Sequence, residues 1–406
     1  MKRIIVFFQK LTCCIALTCQ AQDGNFIQLK GKIVSAKTGE PLVFATIALV
    51  GNGIATLSNE EGGFVFKIPA VSAQDTILIT HIGYQPQVLV VSGADTLAKT
   101  IALKEQSVEL AEVTVTNVKP LELIRKAINR IPENYPSKPY AYYGFYRFAG
   151  WNNGKIVDLS EAIFDIYSRD NHLEHKKFRL IKVRADKDET FFQDLPSFPG
   201  RHPEGLMSDD WVSHIHEAPV VGDEEIDKLD FTYNGVIDDD GRPVYEILFD
   251  QKDGIQEPLH KGRILIEVHS LAFVSFEYGL SPKGVNFSKP KQPGALALHG
   301  LVMTINYRKY GGKYYLSHVR RDATWVPERI PERSLENKSI YLISRIDTTG
   351  SRKLRKPEGK LIDKKDAIEA SARRNSSGGD SFWENYNSVE AEFNVDSALK
   401  AIRHQP

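Results

Sequence analysis

Few residues in this chain have the types and spacing for chemistry, and four stretches hold most of them. "HIHE" brings His214, His216 and Glu217 together. Imidazole and carboxylate are zinc ligands, and this His-x-x-Glu pair, with a distant third ligand such as His299 or His318, would suit a catalytic zinc. The competing reading is a polar loop or strand edge, because 11 histidines make a chance match expected. "SNEEGGF" sets Glu60 and Glu61 against Gly62 and Gly63. It offers oxygens to a cation, or it is a turn between strands with solvated carboxylates. "DDDG" (238–241) has the Asp-Gly chemistry of an exposed hairpin turn and lacks the spaced oxygens of a calcium loop. "PYAYYGFYRFAGW" (139–151) is the densest aromatic run. Aromatic rings with polar tips hold sugars and lipids. Tyr142, Tyr143, Phe145, Tyr146 and Trp151 are therefore candidate groove residues. They are also good β-core residues, and core is the better reading for one face of that strand. No phosphate-binding glycine loop, Gly-x-Ser-x-Gly elbow or zinc-finger spacing is present. No cofactor is implied.

The elements that would position these residues are mostly strands. With 406 residues the chain has room for two or three domains. At 42% hydrophobic and 26% charged, its composition is globular. The 52 basic residues match the 52 acidic ones, so there is no electrostatic footprint for nucleic acid. Residues 1–21 have the early basic pair, short apolar run and small residues of a secretory signal peptide. All three cysteines (Cys13, Cys14 and Cys19) precede that cut, so the exported chain is expected to be free of disulfides. A lipid anchor on one of them is the less favoured alternative. Losing Lys2, Arg3 and Lys10 leaves a net charge of −3. No later run is apolar and long enough for a membrane helix.

Residues 24–104 alternate apolar and polar positions in about seven short strands separated by glycine turns, as in an all-β sandwich. Residues 105–119 read as a linker. In a helix starting at Pro120, Leu121, Ile124, Ile128 and Ile131 form one stripe, ended by Pro132 and Pro136. From about 139 to 348, hairpin signals at "WNNGK", "DDDGR" and "YGGKYY" join longer strands. The simplest solution is an antiparallel meander of about nine to eleven strands in a curved or half-barrel sheet. Residues 187–228 break this pattern as a long insert, which can be functional. Residues 349–381 read as a mobile linker. Residues 382–406 form a segment that docks back through Val395, Leu399 and Ile402.

The pattern from "GKIVSAKTGEPLVFATI" through "SNEEGGFVFKI" to "HIGYQ" resembles the carboxypeptidase regulatory domain-like family, a prealbumin-type β-sandwich. Gly31, Gly39, Pro41, Gly62, Phe64, Gly83 and Tyr84 carry the resemblance, with Leu42 and Ala45. It implies an accessory module that binds no zinc and does not by itself imply peptidase activity. "LAEVTVT" is similar to the segment following this module in TonB-dependent receptors of Bacteroidota, but no receptor-length barrel follows. The later part resembles Bacteroidota proteins pairing the module with a further β-rich domain. Its strand rhythm is similar to the half-open barrels of periplasmic lipoprotein carriers.

Together these imply an exported, non-catalytic protein of the periplasm or outer-membrane face. It would bind an apolar or glycan ligand in its larger sheet, or dock on an envelope complex. The expected partners are an envelope protein, a lipid or a glycan. A zinc hydrolase is the third and least favoured reading.

Overall fold

The computed structural model describes residues 26–70, 75–91, 99–106, 119–199, 201–239, 241–290, 294–331, 333–349, 383 and 386–403. The signal-peptide reading of 1–21 lies outside these residues, as do most of the two linker readings.

Seven strands build the N-terminal unit: β1 (Phe26–Ser35), β2 (Thr46–Leu49), β3 (Ala55–Leu57), β4 (Gly63–Pro69), β5 (Thr76–Thr80), β6 (Gln87–Val90) and β7 (Lys99–Leu103). They form one sheet in the order β4-β1-β7 and a second in the order β3-β2-β5-β6. Period-2 alternation places Ile33, Phe64, Phe66 and Ile68 of the first sheet against Ile47, Leu49, Ile77 and Ile79 of the second. Two family glycines are required sterically. A Cβ on Gly31 would lie 2.7 Å from the Phe64 ring and 2.5 Å from the Lys99 carbonyl oxygen. Gly62 has φ +77°, and its Cβ would meet the Ile33 carbonyl oxygen at 2.4 Å.

Helix α1 (Pro120–Asn129) carries the expected stripe. Ile124 and Ala127 are buried, and Leu121, Ile128 and Ile131 pack at their margin. Pro132 does not end helical structure at once: it sits in the first turn of a short second helix, α2 (Ile131–Asn134).

The larger unit is one open, ten-stranded antiparallel sheet. Its strands are β8 (Tyr140–Asn152), β9 (Lys155–Ser168), β10 (Lys176–Lys187), β11 (Leu229–Asp239), β12 (Arg242–Gln251), β13 (His260–Glu267), β14 (Phe273–Leu280), β15 (Leu296–Tyr310), β16 (Lys313–Pro327) and β17 (Leu335–Asp347). Asn153 and Gly154, like Gly311 and Gly312, all have positive φ. They make the two-residue turns that hold Asn152 opposite Lys155 and Tyr310 opposite Lys313.

The strand order β10-β9-β8-β17-β16-β15-β14-β13-β12-β11 has a strong consequence. Successive strands β10 and β11 lie at opposite edges. The chain between them, 188–228, must cross a face of the sheet, and it does so with apolar residues. Phe192, Leu195, Phe198, Leu206, Trp211, Val212, Ile215 and Val220 join Tyr142, Tyr146, Phe148, Phe276 and Tyr341 in the main core. We call this the inner face. It is packed, so the insert is a plug and not a free loop.

The other, outer face carries the sandwich and the C-terminal segment. Leu57 of β3 and Val389 close over Phe145, Ile163 and Leu342. Helix α3 (Gly205–Asp209) belongs to the insert. Helix α4 (Val395–Arg403) lays Leu399 and Ile402 on Ala149 and Leu159. Asn387 hydrogen-bonds the backbone of Lys67 in both directions, at 2.7 and 2.8 Å, so the segment clasps both units.

Candidate functional site

The outer face of the large sheet and the outer face of sheet β3-β2-β5-β6 do not meet everywhere. Between them lies a cavity of about 500 Å³. That is within the range of small-molecule sites, roughly 300–1,000 Å³. Its roof comes from β2, β5 and the segments on either side of them: Val43, Thr46, Ala48, Val50, Leu78 and Ile82 among others. Its floor comes from the end of β11 and from β12 to β16. Val50 and Lys309 line it and are also exposed, which marks its mouth.

Register explains the floor. Ser275, Asn306, His318, Leu342 and Phe145 are successive cross-strand partners on one face. So are Arg263, Glu277, Thr304, Arg320, Ile340 and Arg147. Most charges here are matched. Arg263 bonds Glu277 and Glu246, Arg242 pairs with Asp239, and Arg320 pairs with Glu60 and Asp322. Phe44 reaches in from the sandwich, with the Arg320 guanidinium 4.9 Å from its ring centre.

Several buried polar atoms of the floor have no partner: Asn306 Oδ1, Arg308 Nε, His318 Nδ1 and Arg320 Nε. Asn306 Nδ2 lies 2.9 Å from His318 Nε2 and donates to it. His318 is 2% exposed, and its pKa falls to about 3, because burial disfavours the imidazolium and Arg320, His81 and Arg308 repel it. On the roof, burial likewise lowers the pKa of His81, whose ring nitrogens approach the carbonyl oxygens of Val43 and Ile82. Elsewhere in the core, burial takes His260 to about 4.

A pH dependence follows. These folded-state pKa values lie below the ordinary 6.5, so the stability linked to neutral rings is complete above pH 6.5. It is lost as pH falls towards 4 and 3. Each ring should cost about 1.4 kcal/mol per pH unit below 6.5. Urea unfolding between pH 7.5 and 5 should show this slope, and His318→Gln should flatten it by one ring's share. An unchanged slope in that variant would mean that His318 is not held neutral by the fold.

The sequence candidates are placed as follows. Tyr142 and Tyr146 face inward and are 1% and 0% exposed, so they are core, not groove. Phe145 faces outward but is sealed under Leu57 and Val389. Tyr143 is half-buried, with Arg345 over its ring. Trp151 packs edge-on against Phe393 and borders only a hollow of about 50 Å³. None of the five lines the cavity. An aromatic groove in the larger sheet is therefore corrected: one face holds the plug and the other the sandwich and C-terminal segment.

In the insert, His214 is part-buried beside Ser213, with its pKa lowered by burial. His216 turns outward to Asp223, and Glu217 is exposed. Among the described residues no group of three or more His, Cys, Asp or Glu is placed to hold a metal ion.

"SNEEGGF" is a turn, but Glu60 is only part-exposed and is paired. Asn59 Oδ1 accepts from the Glu61 and Gly63 backbones, holding the turn. Glu60 itself pairs with Arg320 and Lys338 across the units. In the "DDDG" stretch Asp239 pairs across the hairpin with Arg242, and Asp238 and Asp239 are buried. The Asp238 carbonyl accepts from Gly83 N at 3.0 Å, docking the turn on the sandwich.

The seven-stranded sandwich with Gly31, Gly62 and Phe64 in these roles has its counterpart among known families. Residues 29–115 match the CarboxypepD_reg-like domain. No curated protein matches the chain in sequence. Among solved structures, a DUF1329 family protein from Desulfovibrio piger has 12% identity and a TM-score of 0.26, covering 57% of this chain and 95% of its own. A putative outer membrane lipoprotein-sorting protein domain from Vibrio parahaemolyticus has 11% identity and a TM-score of 0.24, covering 61% and 95%. Lipovitellin has 10% identity and a TM-score of 0.23, covering 53% and 26%. None of the three superimposes well enough to carry an argument about this chain. The CarboxypepD_reg-like module supplies the cavity's roof, and the ten-stranded sheet its floor.

Sequence reasoning did not find the floor residues as a set. His318 stands out only as a zinc ligand, and Asp239 only as part of a hairpin turn. "TINYRKY" reads as an ordinary half-buried strand whose polar positions face water. Nothing local says that a second unit covers them.

Proposed function

We propose that the chain is an exported, non-catalytic binding protein whose ligand sits between the CarboxypepD_reg-like module and the ten-stranded sheet. The cavity, with its unpartnered polar atoms, carries this reading. Non-catalytic binding is supported by the state of its acid–base groups. Asp239 and Glu277 are tied to arginines, and His318 is held neutral by burial. The export reading rests on residues 1–21 and places the protein at the periplasmic or outer-membrane face. Among the described residues no helix is long and apolar enough to cross a membrane.

Native mass spectrometry of protein purified from its own envelope tests this. The expected result is a bound small molecule on the wild type and none on a folded Ala48→Trp variant, whose indole fills the roof. A bare wild-type chain would sink the reading. Substrate turnover abolished by the same variant would make the cavity an active site instead.

A second reading is docking on an envelope partner through the module's edge. Strand β6 ends its sheet, and Val88 and Val90 are 59% and 67% exposed. Recovery of one stoichiometric partner from solubilised envelopes, lost with Val88→Lys, would favour it.

A further inference from the structure

We infer that the cavity takes an anionic headgroup, carboxylate or phosphate, on a compact apolar body, with Arg308 as its counter-charge. The inference rests on the cavity being the ligand site. Arg242, Arg263 and Arg320 each have a carboxylate, but Arg308 has none among the described residues. Its Nη2 donates to the carbonyl oxygens of Gly53 and Ile343, at 2.7 and 3.3 Å, and its Nε meets nothing. Burial lowers its pKa to about 10, partly offset by Tyr142 and Tyr310, so it remains charged at neutral pH. A part-buried guanidinium without a counter-ion is costly, and its fork geometry suits a planar two-oxygen anion.

Its neighbours point the same way. The unpartnered atoms on the floor include two guanidinium donors, Arg308 Nε and Arg320 Nε. Guanidinium donors fit acceptor oxygens, and His318, being neutral, adds no charge of its own. The roof opposite is largely apolar, with Val43, Ala48, Leu49, Val50, Leu78 and Ile82. The headgroup belongs on the floor and the body under the roof.

Calorimetric titration of the full chain, stripped of bound material, tests this with decanoate, decyl phosphate, decanol and inorganic phosphate. Decanoate or decyl phosphate should bind about 10- to 100-fold tighter than decanol, the share of a charge-assisted bond. The tighter of the two anions identifies the headgroup. Arg308→Met should erase the preference and Arg308→Lys should keep part of it, with folding of each followed by thermal denaturation. If Arg308→Met does not fold, the decanoate-to-decanol ratio on the wild type decides. Equal binding of decanol and decanoate overturns the anionic headgroup while leaving an apolar ligand site. A preference that survives in folded Arg308→Met overturns the role of Arg308. Inorganic phosphate binding as tightly as decyl phosphate overturns the apolar body. Failure of all four probes overturns the cavity as a ligand site.

Discussion

Trp211→Ala is expected to destabilise the protein by about 3–5 kcal/mol, the range for removing a large buried aromatic ring. Trp211 is 2% exposed, with its ring centre 5.1 Å from Phe276 and 4.8 Å from Tyr278. It anchors the insert to the inner face at β14, well across the sheet from β10, where the insert starts. Its neighbour Val212 donates its backbone N–H to the Tyr307 hydroxyl at 3.2 Å, so the anchor is polar as well as apolar. Urea unfolding of the exported form gives the number. A loss below about 1 kcal/mol, typical of surface substitutions, would mean that the insert is a loosely held lid and not a plug.

Asp210→Ala should be as damaging, through charge instead of volume. Asp210 pairs with Lys176, and the two side chains are 3% and 1% exposed. Asp210 also accepts from the Tyr307 hydroxyl at 2.9 Å. Removing it strands a buried ammonium and leaves the Tyr307 hydroxyl without an acceptor. Breaking one side of such a pair costs about 3–5 kcal/mol, whereas replacing both partners with apolar residues can be close to neutral. Equilibrium unfolding of Asp210→Ala beside the double variant Asp210→Leu/Lys176→Met checks both parts. A double variant no more stable than the single one would show that the loss comes from something other than a stranded charge. Because Asp210 links β10 to β15 through Lys176 and Tyr307, its loss should also loosen the insert where it enters the 211–217 turn.

Much of this architecture is legible in the sequence because its causes are local. Gly62, Gly154 and Gly312 sit where the turns need positive φ. The alternation in "GFVFKI" puts Phe64, Phe66 and Ile68 on one face whatever they later meet. The Leu121–Ile131 stripe declares a helix with one buried side. Site-level readings were less successful because their causes are distant. Glu60 reads as a solvated turn carboxylate, yet its partners, Arg320 and Lys338, come more than 250 residues later. For the strand of Tyr142 and Tyr146, core is the better reading for one face, but nothing local says which face. Only the plug decides, and the plug is a segment with weak periodicity of its own.

The sequence by itself determined the strands, the turn positions, the order of the two units and the CarboxypepD_reg-like character of the first. Those follow from alternation, glycine geometry and helix punctuation, which act within a few residues. The tertiary structure alone decided which sheet face is filled and which is covered, and where the cavity lies. The edge-to-edge jump from β10 to β11 forces the insert across the inner face. Docking of the sandwich then buries a polar strand face that any local reading assigns to water, leaving Arg308 and His318 enclosed beside an empty volume.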